Sequence, residues 1–291
     1  MKFYYVNSKG KRINFYEYPF LFQDGDLLNY SYSYDVSEGN RKRLTNVRKE
    51  TGERTFKLAL LPNIEKGLSY EDRRTALKAY ADELFETFET DTVNNTDGAL
   101  WTDTGFYLPC RIISSDKDKN GLFNGLPFTF ETFKTVSESN NWIKTLKKSF
   151  YKGSDTVVES IEADYPYDYE YDYAQEISGV DYFNTNHFAE CDFEMIIYGT
   201  VSNPVININD YPYSVYETVS GDEYLVINTK AGTVVKVTSS GEKVNVFDSR
   251  SKENTVFKKL PTGELTVTWN GKFGFDITAF IERSEPSWKS S

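Results

Sequence analysis

The sequence predicts a mainly β protein of two domains: an N-terminal β-sandwich or barrel-like domain with one α-helix, and a C-terminal β-sandwich of the jelly-roll kind. Three observations predict it. A chain of 291 residues has room for two separate cores. Only one stretch, 69–88, repeats its apolar residues at helical spacing. From about residue 193 onward, short β-rich runs recur between turn signals at Ala231-Gly232, Ser240-Gly241, Thr262-Gly263 and Asn270-Gly271. The boundary is placed between Tyr151 and Ser160, giving domains of 1–152 and 153–291.

Taken in order, Phe3 to Val6 and Ile13 to Phe15 read as a hairpin around Asn7, Ser8, Lys9 and Gly10. Tyr30, Tyr32 and Tyr34 alternate with serines, which in a strand puts all three rings on one face. Ser69 and Asp72 start the helix with a capping-box spacing, and Leu77, Tyr80, Ala81, Leu84, Phe85 and Phe88 form its apolar stripe. Strands follow at Tyr107 to Ile113, Pro127 to Phe133 and Trp142 to Phe150. In the second domain they fall at Phe193 to Tyr198, Val205 to Ile208, Glu223 to Asn228, Thr233 to Thr238, Lys243 to Phe247, Thr255 to Lys258, Glu264 to Trp269 and Phe275 to Ile281. Leu265, Val267 and Trp269 share one face of their strand, which places Trp269 in the core. Trp288 lies outside the strand pattern and is expected to anchor the C-terminal tail against a domain surface.

Composition excludes several classes of function. The 33 Lys and Arg against 44 Asp and Glu leave a net charge of −11, which disfavours sequence-specific nucleic-acid binding. No apolar run reaches the roughly 18 residues a membrane span needs, and the N-terminus lacks the apolar core of a signal peptide. One histidine and two cysteines cannot assemble a four-ligand structural zinc site of the usual kinds. Cys110 and Cys191 read as core thiols of a chain that folds in a reducing cytosol. His187 has no nucleophile elbow, phosphate-binding loop or metal-binding pair beside it, so no catalytic residue and no cofactor are assigned.

Three stretches remain as candidate sites. Asp116, Asp118 and Asn120, followed by Gly121, copy the first half of a calcium loop, but Pro127 stands where its bidentate glutamate belongs; a plain hairpin turn uses the same residues. Tyr165, Tyr167, Tyr169, Tyr171 and Tyr173 alternate with acids, a pattern that offers a sugar-stacking row of rings, a row of carboxylates able to hold calcium, or a strand with a solvated acidic face. The stretch holding Arg41, Lys42, Arg43, Arg48, Lys49, Arg54 and Lys57 reverses the local charge. It reads as a long basic loop between two strands, either solvated or in contact with an acidic neighbour.

Over its C-terminal third the chain resembles the distal tail proteins of non-contractile phage tails, the Dit family of tail-tip and baseplate hub components. The resemblance rests on Ile197-Tyr198-Gly199, Asn203-Pro204-Val205-Ile206-Asn207-Ile208, Gly221-Asp222-Glu223-Tyr224-Leu225-Val226-Ile227, Val244-Asn245-Val246-Phe247 with Arg250, Leu260-Pro261-Thr262-Gly263, Trp269, and the ending Glu282-Arg283-Ser284-Glu285-Pro286-Ser287-Trp288. Tyr18-Pro19-Phe20-Leu21-Phe22 extends it more loosely into the N-terminal half. The family implies an N-terminal ring, usually a homohexamer, and a C-terminal galectin-like sandwich. It also implies a location at the virion tail tip after assembly in the host cytoplasm. The implied partners are the tail tube protein, a tail-associated hub or fibre protein and receptor-binding proteins. Arg41, Lys42, Arg43, Arg48 and Lys49 then become candidates for the subunit contact. Two rival readings are a carbohydrate-binding or receptor-binding tail module, which needs exposed rings on a concave platform, and a cell-wall-degrading tail enzyme, which needs a cleft with paired carboxylates.

Overall fold

The computed structural model describes residues 1–37, 41–61, 69–117, 128–153 and 179–289. Its contacts divide the chain into two compact units, Met1–Lys144 with Glu282–Ser291, and Thr145–Ile281.

The first unit contains β1 (Phe3–Val6), β2 (Arg12–Asn14), β3 (Tyr16–Glu17), β4 (Phe20–Gly25), β5 (Ser33–Ser37), β6 (Arg43–Arg48), β7 (Gly52–Leu60), α1 (Tyr70–Asn94), β8 (Gly98–Thr102), β9 (Tyr107–Lys117) and β10 (Phe130–Ser137). The β1–β2 hairpin forms because Asn7 Oδ1 accepts the backbone N–H groups of Lys9 and Lys11, while Gly10 takes a φ of +83°. Antiparallel pairing runs β3-β4-β7-β10-β9, and β9 continues through β8 to β1 and β2. Among the described residues, β5 and β6 pair only with each other. The helix buries Leu77, Ala81, Leu84 and Phe88. Phe88 sits edge-on to Tyr5 and Phe133, each 5.1 Å away between centroids, and Phe15 and Phe56 stack beside them. This aromatic cluster is the core of the unit.

The second unit takes up the chain within β11 (Trp142–Phe150) and continues with β12 (Gly179–Asn184), β13 (Asp192–Tyr198), β14 (Val201–Ser202), β15 (Val205–Ile208), β16 (Tyr211–Ser214), β17 (Thr218–Val219), β18 (Tyr224–Asn228), β19 (Thr233–Val237), β20 (Lys243–Asn245), β21 (Glu264–Trp269) and β22 (Phe275–Arg283). One sheet runs β20-β19-β18-β13-β22-β11 and a second runs β12-β21-β15-β16. Their inner faces share a core that includes Phe193, Met195, Leu225, Ile227, Leu265, Val267, Trp269, Phe275 and Ile277, the arrangement of a β-sandwich. The four expected turn glycines, Gly232, Gly241, Gly263 and Gly271, all take positive φ. Trp269 is buried as its strand face requires, between Phe150 and Phe275, and its Nε1 donates to Phe273 O at 3.0 Å.

Several local expectations are corrected. The helix starts at its expected cap, with Ser69 and Asp72 forming both capping-box bonds, but it runs on to Asn94 rather than 88. Asp91, fully buried in that extra turn and a half, accepts the hydroxyl of Tyr5 at 2.7 Å and the N–H of Ser8 at 2.8 Å. The basic stretch is not one long loop, because it contains β6 and then the central strand β7. Tyr30 and Tyr32 precede β5 rather than sharing a strand face with Tyr34. Thr255 to Lys258 is not a strand. Its carbonyls are taken by tyrosine hydroxyls, Tyr211 onto Thr255 at 3.1 Å and Tyr213 onto Lys258 at 2.9 Å, in place of a ladder. Trp288 is 65% exposed, and its Nε1 donates to Glu285 within the tail rather than anchoring the tail in a surface.

Candidate assembly surface

The five basic residues singled out from the sequence lie on or beside one hairpin. β5 and β6 pair Ser33 with Arg48, Asp35 with Thr45, Val36 with Leu44 and Ser37 with Arg43, with a register shift between Ser33 and Asp35. Asn46 turns through a φ of 51°, and its side-chain amide donates to Asp35 Oδ2 at 2.9 Å. Every residue of β6 is exposed, and so are all but Ser33 of β5. A two-stranded ribbon is marginal in water by itself, and this one also leaves apolar side chains uncovered: Leu44 is 66% exposed, Val47 59% and Tyr34 58%. Arg41 and Lys42 directly precede β6, Arg43 opens it and Arg48 closes it. Arg48 is engaged within the hairpin, 3.5 Å from Glu50 and 3.9 Å from Asp35. Arg41, Lys42 and Arg43 are exposed at the far end of the ribbon.

Lys49 differs from the other four. It folds back at the hairpin root, where its Nζ donates to Asn140 O at 3.0 Å and to Asn141 Oδ1 at 2.9 Å. It also lies 5.6 and 5.5 Å from the ring centres of Tyr30 and Tyr32. Burial and the charge of Arg54 push its ammonium down to about 8, against an opposing pull from Glu282. Arg54 is 3% exposed; it donates to Leu27 O at 2.5 Å and to Asn140 Oδ1 at 2.7 Å. Gly52 makes this possible, since a Cβ there would collide with the Asn140 side chain. Sequence reasoning grouped Arg54 with the surface cations and missed its burial. The signal was present in the alternation of β7, where Gly52, Arg54, Phe56 and Leu58 share the buried face.

The other candidates stay apart from this hairpin. Asp116 is exposed near the end of β9, in register with Thr132, while Asp118 and Asn120 lie outside the described residues. Among the described residues no group of three or more His, Cys, Asp or Glu side chains is placed to hold a metal. Tyr165, Tyr167, Tyr169, Tyr171 and Tyr173 also lie outside the described residues. His187 is partly buried after β12, with the Phe188 ring 4.3 Å away. Cys110 and Cys191 are buried, unbridged thiols, one in each unit. No described helix is long and apolar enough to cross a membrane.

No protein-family model and no curated protein sequence matches the chain. Solved structures do match it. The Dit protein of phage SPP1, described as a paradigm of the hub adsorption apparatus in phages that infect Gram-positive bacteria, aligns over 97% of this chain and 99% of its own at a TM-score of 0.58 and 9% identity. A chain of the phage P2 baseplate in its activated conformation with calcium aligns over 98% and 99% at 0.55 and 12%. The strontium form of that baseplate gives the same coverage and TM-score at 11% identity. Across nearly its whole length, this mainly β chain, with one α-helix among its described residues, therefore has the fold of the SPP1 Dit protein.

Proposed function

We propose that the protein is a structural component of a phage or prophage tail tip, a Dit-like hub that closes into a homohexameric ring and joins the tail tube to the adsorption apparatus. The reading treats 1–152 as the ring-forming domain and 153–291 as the domain that meets hub, fibre or receptor-binding proteins. Near-complete coverage by a hub protein's fold is the observation that carries it. The exposed β5–β6 hairpin adds a physical reason for self-association, because its uncovered apolar residues and terminal cations suit the acidic surface of another copy of a chain with net charge −11. The role needs neither enzyme chemistry nor a cofactor: such a protein works by shape, assembled in the host cytoplasm and carried at the virion tail tip.

Negative-stain imaging with mass measurement of the purified protein tests the reading. Ring particles of about six subunits are expected, and reversal of Arg41, Lys42 and Arg43 to Glu should weaken their assembly, most visibly at low salt. A chain that stays monomeric at high concentration, both alone and with a tail tube protein, contradicts it.

A further inference from the structure

At the root of the β5–β6 hairpin is an open cleft of about 420 Å³, lined among others by Asn29, Tyr30, Tyr32, Glu50, Arg54 and Asn140. Its charges are unevenly satisfied. Each lining carboxylate already has a partner: Asp26 accepts the Thr55 N–H at 2.5 Å, Glu50 accepts Ser33 Oγ at 3.0 Å and faces Arg48, and Glu53 pairs with Lys134 at 2.5 Å. The cations have no such partner. Arg54 is held by a carbonyl and an amide oxygen, with Asp26 acting on it only through space. Lys49 beside it is likewise held by neutral oxygens, with Glu282 acting on it only through space. Among the described residues neither cation makes an ion pair, although burying a charge without one is costly. A carboxylate entering beside the Tyr30 and Tyr32 rings, which meet edge to face with centres 6.1 Å apart, would supply what both cations lack.

One part of the chain has the matching chemistry. Residues 154–178 contain eight Asp and Glu and no Lys, Arg or His, so they supply most of the excess acid behind the net charge of −11. Within them, Tyr165, Tyr167, Tyr169, Tyr171 and Tyr173 are interleaved with Asp164, Asp168, Glu170 and Asp172. An acid–tyrosine alternation offers carboxylates to cations and rings to Tyr30 and Tyr32 from one short stretch. We propose that the cleft and the adjoining basic hairpin dock the acidic, tyrosine-rich segment 154–178 of a second copy of this chain. The choice of a second copy rests on the ring reading; the match of charge and aromatic character does not. A docked carboxylate would offset the mutual repulsion of Lys49 and Arg54, which adds to burial in holding the Lys49 ammonium down.

The test uses the full-length chain with 154–178 replaced by a Gly-Ser linker of equal length, so that its clefts are empty of the segment. A fluorescent peptide of sequence 154–178 should bind this protein, as read by anisotropy. Binding should weaken at least tenfold when every Asp and Glu of the peptide becomes Asn or Gln, and at least fivefold with Lys49→Gln, with an unchanged thermal melt of that variant as the check that it folds. The tagged linker protein should also capture an untagged chain that keeps the segment but carries Lys49→Gln and Arg41, Lys42 and Arg43→Glu. That capture should vanish when the untagged chain carries the linker as well. Absence of peptide binding, binding indifferent to both changes, or failure of capture overturns the proposal. Ring-sized particles from the linker protein without peptide binding would overturn it while leaving the hub reading intact. Peptide binding and capture, with no rings from the natural chain, would support the docking and count against the hub.

Discussion

Single residues carry much of the sandwich core. Trp269 is enclosed by Phe150 and Phe275, with ring centres 5.8 and 5.2 Å away, and Gly179 lies so close that a Cβ there would come within 2.6 Å of the indole. Trp269→Ala should cost about 3–5 kcal/mol in a denaturant titration, the usual range for deleting a buried ring; unchanged stability would contradict this placement. Asp276 shows how a charge is kept in the same unit. Burial alone would raise its pKa, but hydrogen bonds from Lys147, Ser149 and Tyr198 hold it below the ordinary carboxylate value. A depressed carboxylate contributes stability that is fully present above its unfolded pKa and is lost as pH falls through its folded one. Asp276→Asn should therefore be less stable than the natural protein at pH 7, and the gap should narrow below about pH 4. Parallel thermal melts across that range check the sign.

Elements are bounded by chemistry that differs at their two ends. The N-terminus of α1 is a local device, Ser69 and Asp72 bonding each other's backbone, so Ser69→Ala should cost about 1 kcal/mol. Its C-terminus depends on Asn95, which stops the helix at a φ of 53° and ψ of 40° with its N–H on Asp91 O and Thr92 O. Asn95→Gly should be tolerated and Asn95→Ala should destabilise, since alanine bears a steric penalty in the left-handed region that glycine escapes. Circular dichroism melts of the three variants separate these outcomes. The hairpin β5–β6 lacks such internal support, with cross-strand pairs such as Val36 and Leu44 facing water. Its apolar exposure makes sense as an interface and is otherwise an aggregation hazard.

For the whole molecule, the separate cores of the two units set the expected pattern of opening. The aromatic cluster around Phe88 and the sandwich cluster around Trp269 have no residue in common. Hydrogen exchange of Trp269→Ala should speed up in β13, β18, β21 and β22 and change far less in β1, β8 and α1. Equal acceleration in both sets would show that the cores open together. Much of this architecture was legible in the sequence where local backbone physics writes it. Glycines in the left-handed region mark Gly232, Gly241, Gly263 and Gly271 as turns whatever surrounds them. Period-two burial revealed β21, and the Ser69 cap revealed where α1 begins. The features that escaped sequence reading depend on partners far along the chain. The helix runs past 88 because Asp91 is held by Tyr5 and Ser8, more than eighty residues away. Residues 255–258 leave the ladder because hydroxyls about 45 residues away take their carbonyls. The hairpin cations could be read as a charge cluster from sequence, and the alternation of β7 marks Arg54 as inward, but that Asn140, 86 positions distant, would receive it could not be read. Periodicity reports which face of an element is apolar; it cannot report which distant oxygen meets a buried guanidinium, and that contact separates a surface charge from a docking cleft.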